Sequence, residues 1–273
     1  MSVSTPGSGR SAHRSSVSTA DEIPVPGPVP LWEVPGWRDR FGVVAGITGR
    51  GPDPENPFDL GLWTSQPVGA VMGRWRRLRA VLPEFAAAVL AHQVHQDNVL
   101  WHDQLAAGWT LIEGADGHAT RTAGSLLFIT VADCVPIYLI APREGAIALI
   151  HAGWRGTACG ILSRAVGMLK THASAHSHDV VMHCGVAISG AQYEVGNEVL
   201  ATLGRTPDAS GHSQLDLRSV LTEQAERLGI GEVTSSTFCT ASRRDLFFSH
   251  RGSGGSDGRM VAYLGIPERG SRG

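Results

Sequence analysis

Three apolar runs between residues 125 and 153 constrain this chain more than any other feature. SLLFITVAD, VPIYLIA and AIALIHAG follow one another with only turn-sized breaks. Short apolar runs bounded by turn residues read as strands, so the middle of the chain must enter a sheet. Two residues at the ends of these runs are ones a sheet does not need. Cys134 follows the first run in Ala-Asp-Cys-Val-Pro, and His151 ends the third in His-Ala-Gly-Trp-Arg-Gly. Either both fill strand ends, or they meet in space and hold something.

Further strand-like runs occur at 43–48, 87–95, 179–188, 232–239 and 259–264. Helical periods lie between them. Over 68–82, Val68, Val71, Met72, Trp75, Leu78 and Leu82 fall on one stripe, as an amphipathic helix requires. Arg74, Arg76, Arg77 and Arg79 lie largely on the other faces, a solvated surface more simply than an anion-binding ridge. After Gly156, residues Ile161, Leu162, Ala165, Val166 and Leu169 share a face, with Thr157 placed to cap the helix. Residues 193–204 and 217–229 also read as helices, the second capped by Asp216. No repeat is visible. The expected fold is a single α/β domain over 31–273, with mixed β-sheets flanked by helices. Residues 1–30, rich in Ser, Pro and Gly, are expected to be a disordered tail.

A chain of 273 residues with 42% hydrophobic content can bury a sizeable core. Its formal charge of −2 argues against a nucleic-acid partner. The four cysteines form no C-x-x-C pair and no disulfide framework, and the N-terminus lacks the apolar core of a secretory signal. No run approaches a membrane span. A cytoplasmic protein is expected.

His95, in Gln-Val-His, joins Cys134 and His151 as a candidate set. One thiolate and two imidazoles suit Zn²⁺, and three protein ligands leave one tetrahedral position open, as in catalytic sites. A zinc ion there can bring the pKa of water to about 7. Spacing alone leaves other readings open. Cys134 can be a core residue, or a low-pKa nucleophile, and His151 can be satisfied by a backbone carbonyl.

The chain resembles a family variously called multicopper polyphenol oxidase (laccase-like), purine nucleoside phosphorylase or peptidoglycan editing factor. The matching segments include Gln93-Val94-His95, Ala115-Asp116-Gly117, Ala132 to Pro136 and His151 to Thr157. Beyond them lie Tyr193 to Gly196, Cys239-Thr240, Phe247 to Arg251 and Gly258 to Met260, in the family's order over about 41–265. The resemblance implies Zn²⁺ held by His95, Cys134 and His151, on a mixed α/β fold similar to a cysteine-hydrolase scaffold. It selects His95 over His92, which lies three residues earlier. The family's Asn-Leu-Gly, followed by a His or Arg, is here Asp59-Leu60-Gly61-Leu62-Trp63.

The implied activities are phosphorolysis of adenosine, inosine, guanosine or methylthioadenosine, and deamination of adenosine, with purine nucleoside and phosphate as partners. Arg155 is expected to bind phosphate, or else to brace its turn. Asp133 is expected to shuttle a proton or to orient a ligand. Asp116 and Arg50 are candidate substrate contacts, Arg50 being displaced one position from the family's arginine. Copper can enter the same donors adventitiously, but a multicopper oxidase needs His-x-His pairs. His176-Ser177-His178 is the only one here, in a polar loop. Hydrolysis of a nucleotide-linked muropeptide carrying a wrong amino acid is the alternative that the editing name implies.

Overall fold

The computed structural model describes residues 17–268, apart from 208 and 210. In chain order its strands are β1 (Ser18–Thr19), β2 (Ile23–Val25), β3 (Leu31–Glu33), β4 (Val44–Thr48), β5 (Ala87–His92), β6 (Val99–His102), β7 (Gly108–Glu113) and β8 (Gly117–Thr120). They continue with β9 (Ser125–Val131), β10 (Val135–Ala141), β11 (Ala146–Ala152), β12 (Val181–Cys184), β13 (Glu194–Gly196), β14 (His212–Gln214), β15 (Glu232–Ser235) and β16 (Met260–Ile266). The α-helices are α1 (Trp37–Phe41), α2 (Val68–Ala80), α3 (Trp154–Cys159), α4 (Ile161–Ala173), α5 (Asn197–Thr202) and α6 (Leu217–Leu228).

Two seven-stranded sheets carry the fold. The first runs β1-β15-β12-β10-β11-β8-β6 and the second β2-β3-β4-β16-β9-β5-β7, both mixing parallel and antiparallel pairs. Side chains alternate across a strand, and here both faces are buried. Leu127, Ile129 and Val131 of β9 meet Tyr138, Ile140, Ile147 and Leu149 in the core between the sheets. Leu126 and Phe128 face outward onto Val71, Trp75 and Leu78 of α2. On the far side, Val135, Ile137, Leu139 and Ile150 pack under Ile161, Leu162, Ala165 and Leu169 of α4 and Leu217, Val220 and Leu221 of α6. The mixed-sheet, helix-flanked single domain expected from the sequence is the fold found.

Consecutive apolar runs do not all pair with each other. β10 and β11 form a hairpin, but β9 belongs to the other sheet. Ala132-Asp133-Cys134 is therefore the link by which the chain leaves one sheet for the other.

Several expectations are corrected. Residues 17–30 are not tail. β1 pairs with β15 and β2 with β3, and Glu22 is buried beside His183. The remainder of the expected tail, 1–16, lies outside the described residues. Thr157 is not an N-cap; it is buried inside α3, which Gly153 starts, and its hydroxyl donates to the Gly153 carbonyl. Gly160, with φ 85°, separates α3 from α4. The segment 193–204 opens with a strand, because Glu194–Gly196 pairs with His212–Gln214 before α5 begins. On α2 the buried stripe is narrower than the periodicity suggests, since Val68 is 68% exposed.

Candidate metal centre

His95, Cys134 and His151 converge. Their ligand atoms lie within 4.8 Å of one another. Each arrives from a different element: His95 on the turn after β5, Cys134 on the link between sheets, His151 near the end of β11. The hairpin register, Pro136 opposite His151 and Val135 opposite Ala152, puts the link next to the end of β11. The His95 and His151 rings meet edge to face at 4.8 Å.

Asp116 builds this centre from behind. Its carboxylate accepts the backbone N–H groups of Val94, His95 and Gln96 at 3.2, 2.9 and 2.9 Å. Those bonds hold the turn in which His95 takes a φ of 59°, an unusual value for a residue other than glycine. The same carboxylate lies 3.0 Å from His151 Nδ1. One imidazole nitrogen is thereby occupied and the other is left to act as a ligand, the usual carboxylate–histidine arrangement at metal sites.

Charge coupling within the set is strong. Burial raises the Cys134 thiol pKa, but the charge and hydrogen bonds of His151 and His95 overcome it and bring it down to about 6. Burial lowers the His151 pKa, yet Cys134 and Asp116 together lift it to about 9. Burial also opposes ionisation of Asp116, but its bonds from His151, Gln96 and His95 keep its pKa below the ordinary value. Both shifts favour a thiolate beside an imidazolium, and a metal ion would take the deprotonated form of each. The donor set fits zinc in type and number, and the backbone leaves room for it. A Cβ added at Gly153 would lie 3.0 Å from Cys134 Sγ and 3.6 Å from His95 Cδ2.

The three side chains line a cleft of 320 Å³ whose walls include Trp63, His92, His250 and Arg259. The other expected site residues sit around it. Asp133, with φ 89°, is 7% exposed, and its carboxylate accepts from Thr240, Ser249 and the Arg251 backbone N–H. It therefore braces the loop that presents His250. Arg155 falls inside α3, in its first turn; its guanidinium lies 4.3 Å from the Trp154 ring centre and does not line the cleft. Burial and the Cys134 and Asp133 charges push the Tyr193 phenol up to about 12, and Arg251 and Arg155 oppose them. Arg50 also lies off the cleft, tied to Asp257 at 2.5 Å and stacked over Phe248.

Sequence reasoning gave no role to His250, Arg259, Trp63 or Tyr193. His250, Arg259 and Tyr193 lay inside quoted segments, and Trp63 marked a departure from the family pattern. Only the tertiary contacts bring His250, Arg259 and Trp63 to the cleft.

A family model described as multi-copper polyphenol oxidoreductase laccase matches residues 42–267. The purine nucleoside phosphorylase YlmD of Geobacillus stearothermophilus is 34% identical over 250 residues, covering 83% of this chain and 91% of that protein. A purine nucleoside phosphorylase of Deinococcus radiodurans is 37% identical over 201 residues, covering 71% and 76%. The crystal structure of YlmD from Geobacillus stearothermophilus superposes with a TM-score of 0.82 at 30% identity, covering 90% of this chain and 100% of that one. The Bacillus licheniformis hypothetical protein YfiH gives 0.79 at 26% identity, covering 88% and 97%. The chain belongs to the multi-copper polyphenol oxidoreductase laccase family, in which it is similar to proteins named purine nucleoside phosphorylase.

Proposed function

We propose that the chain is a zinc-dependent purine nucleoside phosphorylase that also deaminates adenosine, acting on adenosine, inosine, guanosine and methylthioadenosine. The observation that carries this reading is the convergence of His95, Cys134 and His151 on one cleft, in a chain whose relatives bear that name. Bound Zn²⁺ supplies Lewis acidity towards water or a substrate oxygen. Among the described residues this is the one three-residue cluster suited to a metal, which favours a single ion over several coppers.

In phosphorolysis a phosphate oxygen bonds to C1′ of the ribose as the C1′–N9 bond breaks. The bonding pair leaves with the purine, giving ribose 1-phosphate and free base. The protein must neutralise a phosphate dianion and hold the sugar in line with it. A guanidinium offers charge and a bidentate fork for that purpose. Arg155 is the phosphate ligand proposed from the sequence, and Arg259, which lines the cleft, is the second candidate. Deamination needs water at C6 of adenine and a proton donor for the departing ammonia. His250, which lines the cleft, is the candidate donor, and Asp133 contributes by holding the His250 loop. Four free thiols suit a reducing compartment, so a cytoplasmic enzyme is proposed.

Purified protein incubated with adenosine and inosine, with and without phosphate, tests the reading by chromatography. Phosphate-dependent release of adenine, hypoxanthine and ribose 1-phosphate is expected, with phosphate-independent conversion of adenosine to inosine. Inertness towards every nucleoside, with hydrolysis of a muropeptide, would replace the reading with the editing one. Metal analysis on protein purified without added copper should return about one zinc per chain, and none in Cys134→Ala.

A further inference from the structure

The wall of the cleft formed by Trp63 and His92 has no part in the chemistry above. Trp63 is a large aromatic left 43% exposed, and it lines the cleft. Its ring lies nearly parallel to that of His92, with centroids 4.7 Å apart and planes 19° from each other. His92 Nδ1 lies 3.0 Å from the Glu113 carboxylate. The loop carrying Trp63 is braced. Asp59 Oδ1 accepts the Gly61 and Arg259 backbone N–H groups, each at 2.8 Å, and the Thr64 hydroxyl donates to the Gly61 carbonyl at 2.9 Å. A Cβ at Gly61 would lie only 2.6 Å from Thr64 Cγ2, so the turn is too tight for a side chain there. One carboxylate thus ties the indole loop and Arg259 together on the same side of the cleft.

An exposed indole backed by an imidazole is a stacking surface for a flat aromatic ring. We propose that Trp63, with His92 behind it, receives the purine base by stacking. The proposal rests on the nucleoside reading and adds a residue that binds the base. Stacking on an aromatic side chain is sequence-tolerant among bases, so the wall accepts adenine, hypoxanthine and guanine alike while rejecting non-planar rings.

The test runs the reaction in reverse, from ribose 1-phosphate and adenine or hypoxanthine, with zinc-loaded wild type, Trp63→Ala and Trp63→Phe. Alanine is expected to raise the KM for base on the order of 5- to 150-fold, the range for loss of base–aromatic stacking. The KM for ribose 1-phosphate should stay within about twofold, and phenylalanine should recover most of the loss. An unchanged base KM, or equal rises in both KM values, overturns the proposal. Free adenine should also quench wild-type tryptophan fluorescence and leave Trp63→Phe unquenched. That readout needs no turnover. If the wild type processes no nucleoside, the nucleoside reading fails alone where the quench persists, and both fail where the quench is absent.

Discussion

Asp116 and His151 share a 3.0 Å contact between carboxylate and Nδ1, and the same carboxylate holds the His95 turn by its backbone. A single buried side chain thereby orients both histidines of the centre. Asp116→Asn keeps the shape but replaces one acceptor oxygen with a donor, so it cannot satisfy both the backbone N–H groups and a His151 Nδ1–H. Zinc affinity is expected to fall about 10- to 100-fold, the usual loss when a carboxylate behind a ligating histidine is removed. Competition with a chromophoric chelator measures this. An unchanged affinity would mean that the two histidines are positioned without Asp116.

Gly153 makes a sharper probe of the same pocket. Its backbone is extended, with φ −80°, so alanine strains nothing there. The new methyl would press on Cys134 Sγ at 3.0 Å. Gly153→Ala should therefore fold with a urea midpoint near that of wild type while binding zinc on the order of tenfold more weakly. A variant that keeps full metal affinity would show that the thiolate has room to retreat.

Legibility from sequence follows burial and contact range. Cys134 and His151 were readable because each ends an apolar run whose strand assignment is secure. Asp116 was visible as a candidate substrate contact, but its bonds to residues 94–96 and to His151 depend on a fold that brings three segments together. Residues 17–30 were misread because their strands are two or three residues long and sit at sheet edges. Ser18, Thr19 and Ile23 are exposed there, so no alternation marks them. Trp63 was seen only as a departure from a pattern, since its stacking partner His92 comes from elsewhere in the chain.

His118 gives the protein an acid limit. It is fully buried and 3.0 Å from His102, and burial together with that neighbour drives its pKa down to about 3. In the unfolded chain the same imidazole takes up a proton near pH 6.5. Between those values the unfolded state binds more protons, so stability falls as pH falls. From pH 6.5 to 5 the loss from this residue is about 2 kcal/mol. His118→Leu should flatten that part of the profile, read from urea midpoints at the two pH values. An equal acid slope in the variant would place the sensitivity in other groups.

The N-terminal strap yields the last prediction. Glu22 Oε1 accepts the Val186 N–H at 3.0 Å and lies 3.2 Å from His183 Nε2, where both side chains are excluded from solvent. The neighbouring Asp21 accepts from the Thr237 backbone and hydroxyl, three residues before Thr240, which donates to Asp133. The strap is thus connected to the loop behind Cys134 by a short chain of bonds. Glu22→Ala strands two buried donors, each costing on the order of 1–3 kcal/mol when left without an acceptor. Glu22→Gln keeps an acceptor oxygen and should lose much less. Urea unfolding of the three proteins at pH 7.5 separates a strap from a tail: a tail predicts three coincident transitions, and the structure predicts that alanine alone moves strongly to lower urea. Because the strap reaches Asp133 through Thr237 and Thr240, the alanine variant should also lose turnover while keeping its zinc. The loop carrying His250 would be loosened, but the ligands would still be held by Asp116.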